Sequence, residues 1–299
     1  MDIRHLRYFI AIVDSGSLSE ASRRLHIVQP ALSQRLSSLE EELGVQLLVR
    51  GRSGVAATDA GAELYQRAKI ILKQMDLTKG AVQEKAGAMK GKVSIGVLRT
   101  VASVMGARLF LALKSELPDI TPELVVGYSA ELKNQLNSMR LDLAMQVYRP
   151  DAKSEHGIHL FRERLYLVSP RSIFDPQQPV KLADLEAVPL LLSSMQPFYG
   201  FLIDAAREAG VDLAIVGGIE DGAAVLDVCR AGVACTVVPE IAAQRIEPNS
   251  GLSVTVIDND NLHREIRLES HPDIPKTGAM MAVEKVMARV VTDFLANRQ

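Results

Sequence analysis

Apolar residues recur at helical spacing from the start of the chain and set out three consecutive helices. Leu6, Phe9, Ile10 and Val13 form a stripe that predicts a helix over residues 3–14, ended by Gly16. Leu18, Ala21 and Leu25 give a second helix one apolar side, and Ser17 followed by Glu20 has the spacing of a capping box at its start. His26 to Val28 make the turn. A third helix follows, with Pro30 in its first turn, where the missing N–H has no partner to lose, and with Leu32, Leu36, Leu39 and Leu43 facing inward. Gly44 stops it. Leu47, Leu48 and Val49 then lead into Gly51-Arg52-Ser53-Gly54 and Val55 leads back, the pattern of a β-hairpin wing. Thr58 caps a long helix with Asp59 in its first turn, along which Leu64, Ala68, Ile71, Met75, Thr78 and Val82 alternate as a heptad seam.

Beyond Lys92 the periodicity changes. Strands are expected at 93–98, 123–127, 141–147, 164–169, 189–192, 214–219, 232–238, 252–257 and 265–269. Helices are expected at 103–115, 132–139, 198–209, 221–231 and 277–295. Such βαβ units predict a mostly parallel sheet. Two similar α/β lobes, with the chain crossing over near 164–169, would enclose a cleft beyond the strand ends, where helix N-termini point spare N–H groups at a ligand.

The two short helices and their turn read as a helix-turn-helix. On the outer side of its second helix stand Gln29, Pro30, Ser33, Gln34 and Ser37, mostly short or amide side chains able to hydrogen-bond base edges in a major groove. Glu40, Glu41 and Glu42 lie at the far end, where phosphates would repel them, so the N-terminal half must approach DNA. Arg23, Arg24 and Arg35 are then candidate phosphate contacts. An ordinary helical hairpin with a solvated polar face has the same spacing. On the wing, Arg50 and Arg52 could enter a minor groove or meet phosphate, or be plain surface arginines. The heptad seam needs a partner, either a second copy of the chain or the chain's own C-terminal part.

Charge is uneven. Residues 1–92 carry 14 Lys+Arg against 10 Asp+Glu, a net of +4, within a chain of net −2, so the basic part is the N-terminal part. With 299 residues, 47% of them hydrophobic, two or three domains with sizeable cores are expected. The apolar stretch Val101 to Leu113 is interrupted by Arg108, and the start MDIRHLRYF lacks a signal-peptide pattern, so a cytoplasmic protein is expected. Cys229 and Cys235 are the only cysteines and read as buried free thiols.

No residues point to catalysis. There is no Gly-rich phosphate loop of standard spacing, no His-Glu-x-x-His run, and GRSG at Gly51 to Gly54 lacks the full nucleophile-elbow spacing. His156 and His159 are three apart in an expected exposed loop, and neither a metal site nor a cofactor follows from them. The competing class is a solute-binding or enzymatic α/β protein with a helical appendage.

The sequence resembles the LysR-type transcriptional regulators over nearly its whole length. The resemblance rests on LRYF at Leu6 to Phe9, GSLSEASRRL, VQPALSQRLSSLEEELGVQLL, ATDAG at Ala57 to Gly61, VSIGV at Val93 to Val97 and AGVACTVVP at Ala231 to Pro239. It implies a winged helix-turn-helix over 1–58, a dimerising linker helix over 59–90, and an effector domain over 91–299 similar to periplasmic binding proteins. Within that domain, lobe I would take 91–162 and 268–299 and lobe II 163–267. The implied partners are promoter or operator DNA, a small-molecule effector, further copies as a homodimer or homotetramer, and RNA polymerase.

Gln29, Pro30, Ser33, Gln34 and Ser37 fall where the family reads DNA, with Arg52 or Ser53 at its wing tip. Two departures stand out: the family often has phenylalanine at the position of Leu48, and some members have arginine at that of Gln34. The family's effector cleft maps to Arg99, Thr100, Ser103, Ser129 and Tyr148 of the first lobe and to Ser193, Ser194, Glu220 and Thr236 of the second. Arg99 is unusual there, since smaller hydroxyl residues are common. It could clamp a carboxylate, fill the cleft mouth or pair with Glu220. LHIVQPALSQ and KGKVSIGVL are similar to the nitrogen-assimilation-control branch, some of whose members act without a small coinducer.

Overall fold

A computed structural model of the protein describes residues 1–51, 54–85, 90–149, 157–171, 173–175 and 177–296. The chain forms two compact units, Met1–Ala88 and Met89–Gln299.

In the first unit, α1 (Ile3–Ser15) is capped by Asp2, whose side chain accepts from Arg4 N, and closed by Gly16 in the left-handed region at φ 61°. Helix α2 (Leu18–Leu25) starts on Ser17, whose hydroxyl accepts from Glu20 N. The Glu20 carboxylate pairs with Arg23. His26, at φ 55°, ends α2, and α3 (Gln29–Leu43) ends at Gly44. Phe9, Ile12, Leu18, Ala21, Leu32, Leu36 and Leu39 make one core with Leu47 and Leu48.

Two expectations about this core are corrected. Ile12, rather than Ile10 or Val13, takes the fully buried place on α1 beside Leu6 and Phe9, and Ile10 and Val13 are only half-buried. Leu43 is 40% exposed, because α3 runs past the core at Leu39 and Leu47 and Leu48 close that end.

The wing pairs β1 (Leu48–Gly51) with β2 (Gly54–Ala57), antiparallel, with Leu48 opposite Ala57. It is moored to the helices at two points. Glu40 Oε1 accepts from Leu47 N at 2.7 Å and Leu48 N at 3.2 Å, and Val55 N donates to Gly16 O at 2.8 Å. Helix α4 (Asp59–Lys85) begins where Thr58 Oγ1 accepts from Gly61 N at 3.0 Å and donates to Gln46 O at 2.8 Å. A Cβ on Gly61 would stand 2.0 Å from Leu47 O, so only glycine lets α4 pass this close to the wing.

The second unit opens with β3 (Gly91–Leu98), α5 (Arg99–Glu116), β4 (Ile120–Gly127), α6 (Ser129–Asn137), β5 (Leu143–Tyr148) and β6 (Ile158–Pro170). Then come β7 (Leu190–Leu191), α7 (Pro197–Glu208), β8 (Ile215–Gly217), α8 (Gly222–Arg230), β9 (Thr236–Pro239) and the short α9 (Glu240–Ala243). Strands β10 (Leu252–Val256) and β11 (His263–Ser270) precede α10 (Gly278–Ala296), which packs on α5. The sheet runs β10-β6-β11-β5-β3-β4, with β9 also on β6.

The sheet is mixed rather than mostly parallel. Strand β3 is parallel to β4 and β5, whereas β11 runs antiparallel to both β5 and β6. The crossing strand also begins at Ile158, ahead of the expected Arg164. Its first half pairs with β11, and its second half, from Leu165, lies between β9 and β10. Strand β6 is therefore shared by the two lobes. The second lobe has its own core around Leu165, Leu185, Phe198, Leu202 and Val237. Cys229 and Cys235 are buried free thiols there, and burial pushes both up to about 11.

Glu40→Ala removes the acceptor shared by Leu47 N and Leu48 N. It should lower the unfolding free energy of the helix-turn-helix unit by about 1–3 kcal/mol in urea denaturation, with the larger part restored by Gln. An unchanged midpoint would contradict that role.

Candidate functional site

The first site is the outer surface of α3. Leu32, Leu36 and Leu39 are buried, while Gln29, Pro30, Gln34, Arg35 and Ser37 are exposed and Ser33 is half-buried. Arg23 and Arg24, in the last turn of α2, are exposed as well. Ser19 Oγ donates to Gln29 Oε1 at 3.0 Å, tying the start of α3 to α2. This arrangement leaves short polar side chains over the N-terminal half of α3. Of the three glutamates at its far end, Glu40 moors the wing and Glu42 pairs with the N-terminal amine of Met1. Arg52 and Ser53 lie outside the described residues, as does the side chain of Arg50.

Along α4, Ala68 is buried and Leu64 packs against the helix-turn-helix core. The early part of the expected seam is thus taken up by the chain's own unit. Further on, Ile71 is 38% and Val82 66% exposed, with Met75 half-buried and Thr78 exposed.

The second site lies in the α/β unit, where the N-termini of α5, α6 and α7 converge. Leu98, Arg99, Thr100, Gly127, Tyr128, Ser129, Val147, Gln196, Phe198 and Arg264 enclose a cavity of about 30 Å³. Neither Leu98 at the start of α5 nor Gln196 at the start of α7 supplies a side-chain cap, so free N–H groups of both helices remain there. Arg99 is exposed, its guanidinium 4.9 Å from the centre of the Tyr128 ring. Burial pushes the Tyr128 phenol up, and the positive charge of Arg99 works against that rise.

Four contacts close this region. Tyr128 OH donates to Glu220 O at 2.7 Å, Arg149 Nη1 meets Asp204 Oδ2 at 2.7 Å, and Arg245 donates to Ser103 O. Arg264 Nη2 donates to Thr100 Oγ1 at 2.9 Å. Arg264, only 2% exposed, is charge-paired with Glu163, 4% exposed, directly opposite it on β6.

Among the nine expected cleft residues, Arg99, Thr100 and Ser129 line the cavity. Ser129 is committed to structure, donating to Gln146 Oε1 at 2.9 Å and accepting from Val147 N at 3.1 Å. Glu220 takes part through its carbonyl, and among the described residues no ion pair joins it to Arg99. The others are placed elsewhere. Ser103 is exposed and donates to Thr100 O, Tyr148 bonds the Glu269 carboxylate, and Ser193 is buried and accepts from Met195 N. Ser194 is exposed and outside the lining, and Thr236 is fully buried, donating to Leu191 O at 2.8 Å. Of the two histidines, His159 is exposed and His156 lies outside the described residues.

The sequence reading missed Tyr128, Gln196, Phe198 and Arg264. For Arg264 a signal was present. On β11 it alternates with the buried Ile266 and Leu268, and on β6 Glu163 alternates with Phe161 and Leu165, so two opposite charges sit on buried strand faces.

The chain matches known proteins along most of its length. Residues 3–62 match the bacterial regulatory helix-turn-helix protein, lysR family, and residues 86–289 match the LysR substrate binding domain. The nitrogen assimilation regulatory protein nac of Klebsiella aerogenes is 34% identical over 82% of this chain and 81% of its own. ClcR of Pseudomonas putida is 30% identical over 86% of this chain and 88% of its own. The crystal structure of CbnR, a LysR family transcriptional regulator also solved with its target DNA, superposes with a TM-score of 0.66 at 25% identity, covering 97% of this chain and 99% of that one. A helix-turn-helix with an exposed polar face and a two-lobed α/β domain closing on a cleft, both matched along the chain, make this protein a member of the LysR family of transcriptional regulators.

Proposed function

We propose that the protein reads operator DNA through Gln29, Pro30, Ser33, Gln34 and Ser37, with Arg23, Arg24 and Arg35 on phosphates and the wing residues Arg50, Arg52 and Ser53 beside them. Support comes from the opposed faces of α3, apolar inward and short polar outward, with its acidic end occupied by internal contacts. In this reading residues 1–58 bind DNA and residues 59–90 form the linker helix. Ile71, Met75 and Val82 belong to a seam with a second copy, in line with their exposure on α4, whereas Leu64 and Ala68 support the chain's own core. Paired heads would sit on half-sites about one helical turn apart, or a multiple of it.

The effector domain, 91–299, takes a small carboxylate at the cavity between lobe I (91–162 and 268–299) and lobe II (163–267). The observation that carries this is the convergence of the uncapped N-termini of α5 and α7 with the exposed Arg99, an arrangement that favours a negative charge. Thr100 and Gln196 are the nearest neutral partners, and Arg264 adds a second guanidinium already balanced by Glu163. Ligand control requires that binding favour one lobe arrangement over another. A cavity of about 30 Å³ bridged by Tyr128 and Glu220 supports a second reading, in which the lobes stay closed without a coinducer.

On DNA, Gln34→Ala should weaken operator binding by about 1–3 kcal/mol in a mobility-shift titration and leave random-sequence binding unchanged. Arg24→Gln should weaken both alike and flatten the salt dependence by about one unit of slope. Equal operator affinity in Gln34→Ala would remove that residue from the base contacts. At the cleft, acetate, succinate and benzoate can be titrated by calorimetry, since the chain has no tryptophan to report binding. The carboxylate that binds should lose about tenfold or more in affinity in Arg99→Ala. Operator binding by the parent protein with no heat from any carboxylate would favour the closed, coinducer-free reading.

A further inference from the structure

The two crossing strands have a second face. Arg264 points to the cleft side, where it meets Thr100 and Phe198 and pairs with Glu163, while the alternate residues Arg162, Arg164 and His263 face the rear. There they line a separate pocket of about 640 Å³ together with Tyr166, Glu240, Asn259, Asp260 and part of Glu163, whose carboxylate is already paired with Arg264. The space suits a small polar ligand with some of its water.

His263 gives this pocket a built floor. The ring is 4% exposed, with Nδ1 2.7 Å from Arg162 Nη2 and 2.9 Å from Asp260 O, while Nε2 is buried without a partner. Burial and the neighbouring Arg162 push its pKa down, so the ring is neutral near pH 7.

The charges around the floor are also unmatched. Among the described residues, neither Arg162 nor Arg164 forms an ion pair, and neither do Glu240 and Asp260. Glu240 only accepts from the Arg164 backbone N at 3.4 Å. Two cations and two anions thus share one pocket without pairing to each other. A simple anion would meet the guanidinium groups and be repelled by the carboxylates, and a simple cation would meet the reverse. A ligand with both charges on one small frame satisfies both sets.

We propose that the rear hinge pocket binds a small zwitterion of the α-amino-acid class, its carboxylate at Arg162 and Arg164 and its ammonium at Glu240 and Asp260. The bound molecule would rest on β6 and β11, the strands that join the lobes, and so act on the same hinge as the cleft from the opposite side.

The test is calorimetry on the full-length protein with L-glutamine as the zwitterion and with acetate and ethanolamine as its two single-charge halves. Glutamine should bind at least about tenfold more tightly than either half, and Arg164→Gln and Asp260→Asn should each weaken it by about tenfold or more. Both positions are exposed, so neither change disturbs a core. Three results would overturn the proposal: no heat from glutamine up to about 10 mM, acetate binding to Arg99→Ala protein as tightly as glutamine does, or glutamine affinity lost in Arg99→Ala but kept in Arg164→Gln. The last would place the ligand in the cleft. Failure here leaves the carboxylate titration at the cleft unaffected, because that one depends on Arg99 and this one on Arg164.

Discussion

The ion pair between Glu163 and Arg264 is the contact on which the α/β domain turns. Each residue sits on one of the two strands that pass between the lobes, and the pair is almost wholly removed from water. Burying two charges this way costs several kcal/mol per ion unless their remaining hydrogen-bonding capacity is filled. It is filled from several elements at once. Glu163 Oε2 accepts from Ile241 N at 2.7 Å, so α9 is bound to it. Arg264 bonds Thr100 on α5 and lies 5.3 Å from the Phe198 ring centre on α7. Loss of either partner strands the other charge, at about 3–5 kcal/mol, whereas a matched apolar pair could be tolerated. The ion pair's partners come from both lobes and are satisfied together in this arrangement.

The DNA-binding unit works under a different constraint, the small size of its core. Three helices and a two-stranded wing must bury enough apolar surface while leaving one face of α3 uncommitted. Leucines at three positions of α3 do the burying, and the connections are pinned by backbone and capping bonds rather than by further apolar surface. Gly16 illustrates this: its left-handed conformation ends α1, and its carbonyl then receives Val55 N from the wing. Gly54 lies against the same carbonyl, where a Cβ would come within 2.4 Å. The wing position is therefore coupled to the end of α1.

What could be read from the sequence followed from how local each signal was. Helix starts and stops at Ser17, Gly16, Gly44 and Thr58 depend on neighbours a few residues away, and the structure places caps at all four. The inward leucines of α3 followed from spacing alone, except Leu43, whose burial depended on where a distant segment closes the core. The cleft was harder. Ser129 and Thr236 are hydroxyl residues at plausible ligand positions, yet each is used by a backbone group of a neighbouring strand, which no local pattern reveals. Tyr128 and Gln196 gain importance only because α6 and α7 start at the same point in space. Charge on a buried strand face, as at Glu163 and Arg264, was legible in principle, but only once the strand ends were known to extend as far as Ile158 and His263.

Reading of specific DNA sequences by the exposed face of α3 is open to direct test. The most direct measurement is selection of genomic fragments by the purified protein at near-physiological salt, followed by sequencing of what is retained. A few inverted-repeat sites should be enriched far above the rest, with half-sites spaced by about one helical turn or a multiple. Uniform retention of fragments, or none above background from folded protein with and without small carboxylates and amino acids, would contradict it.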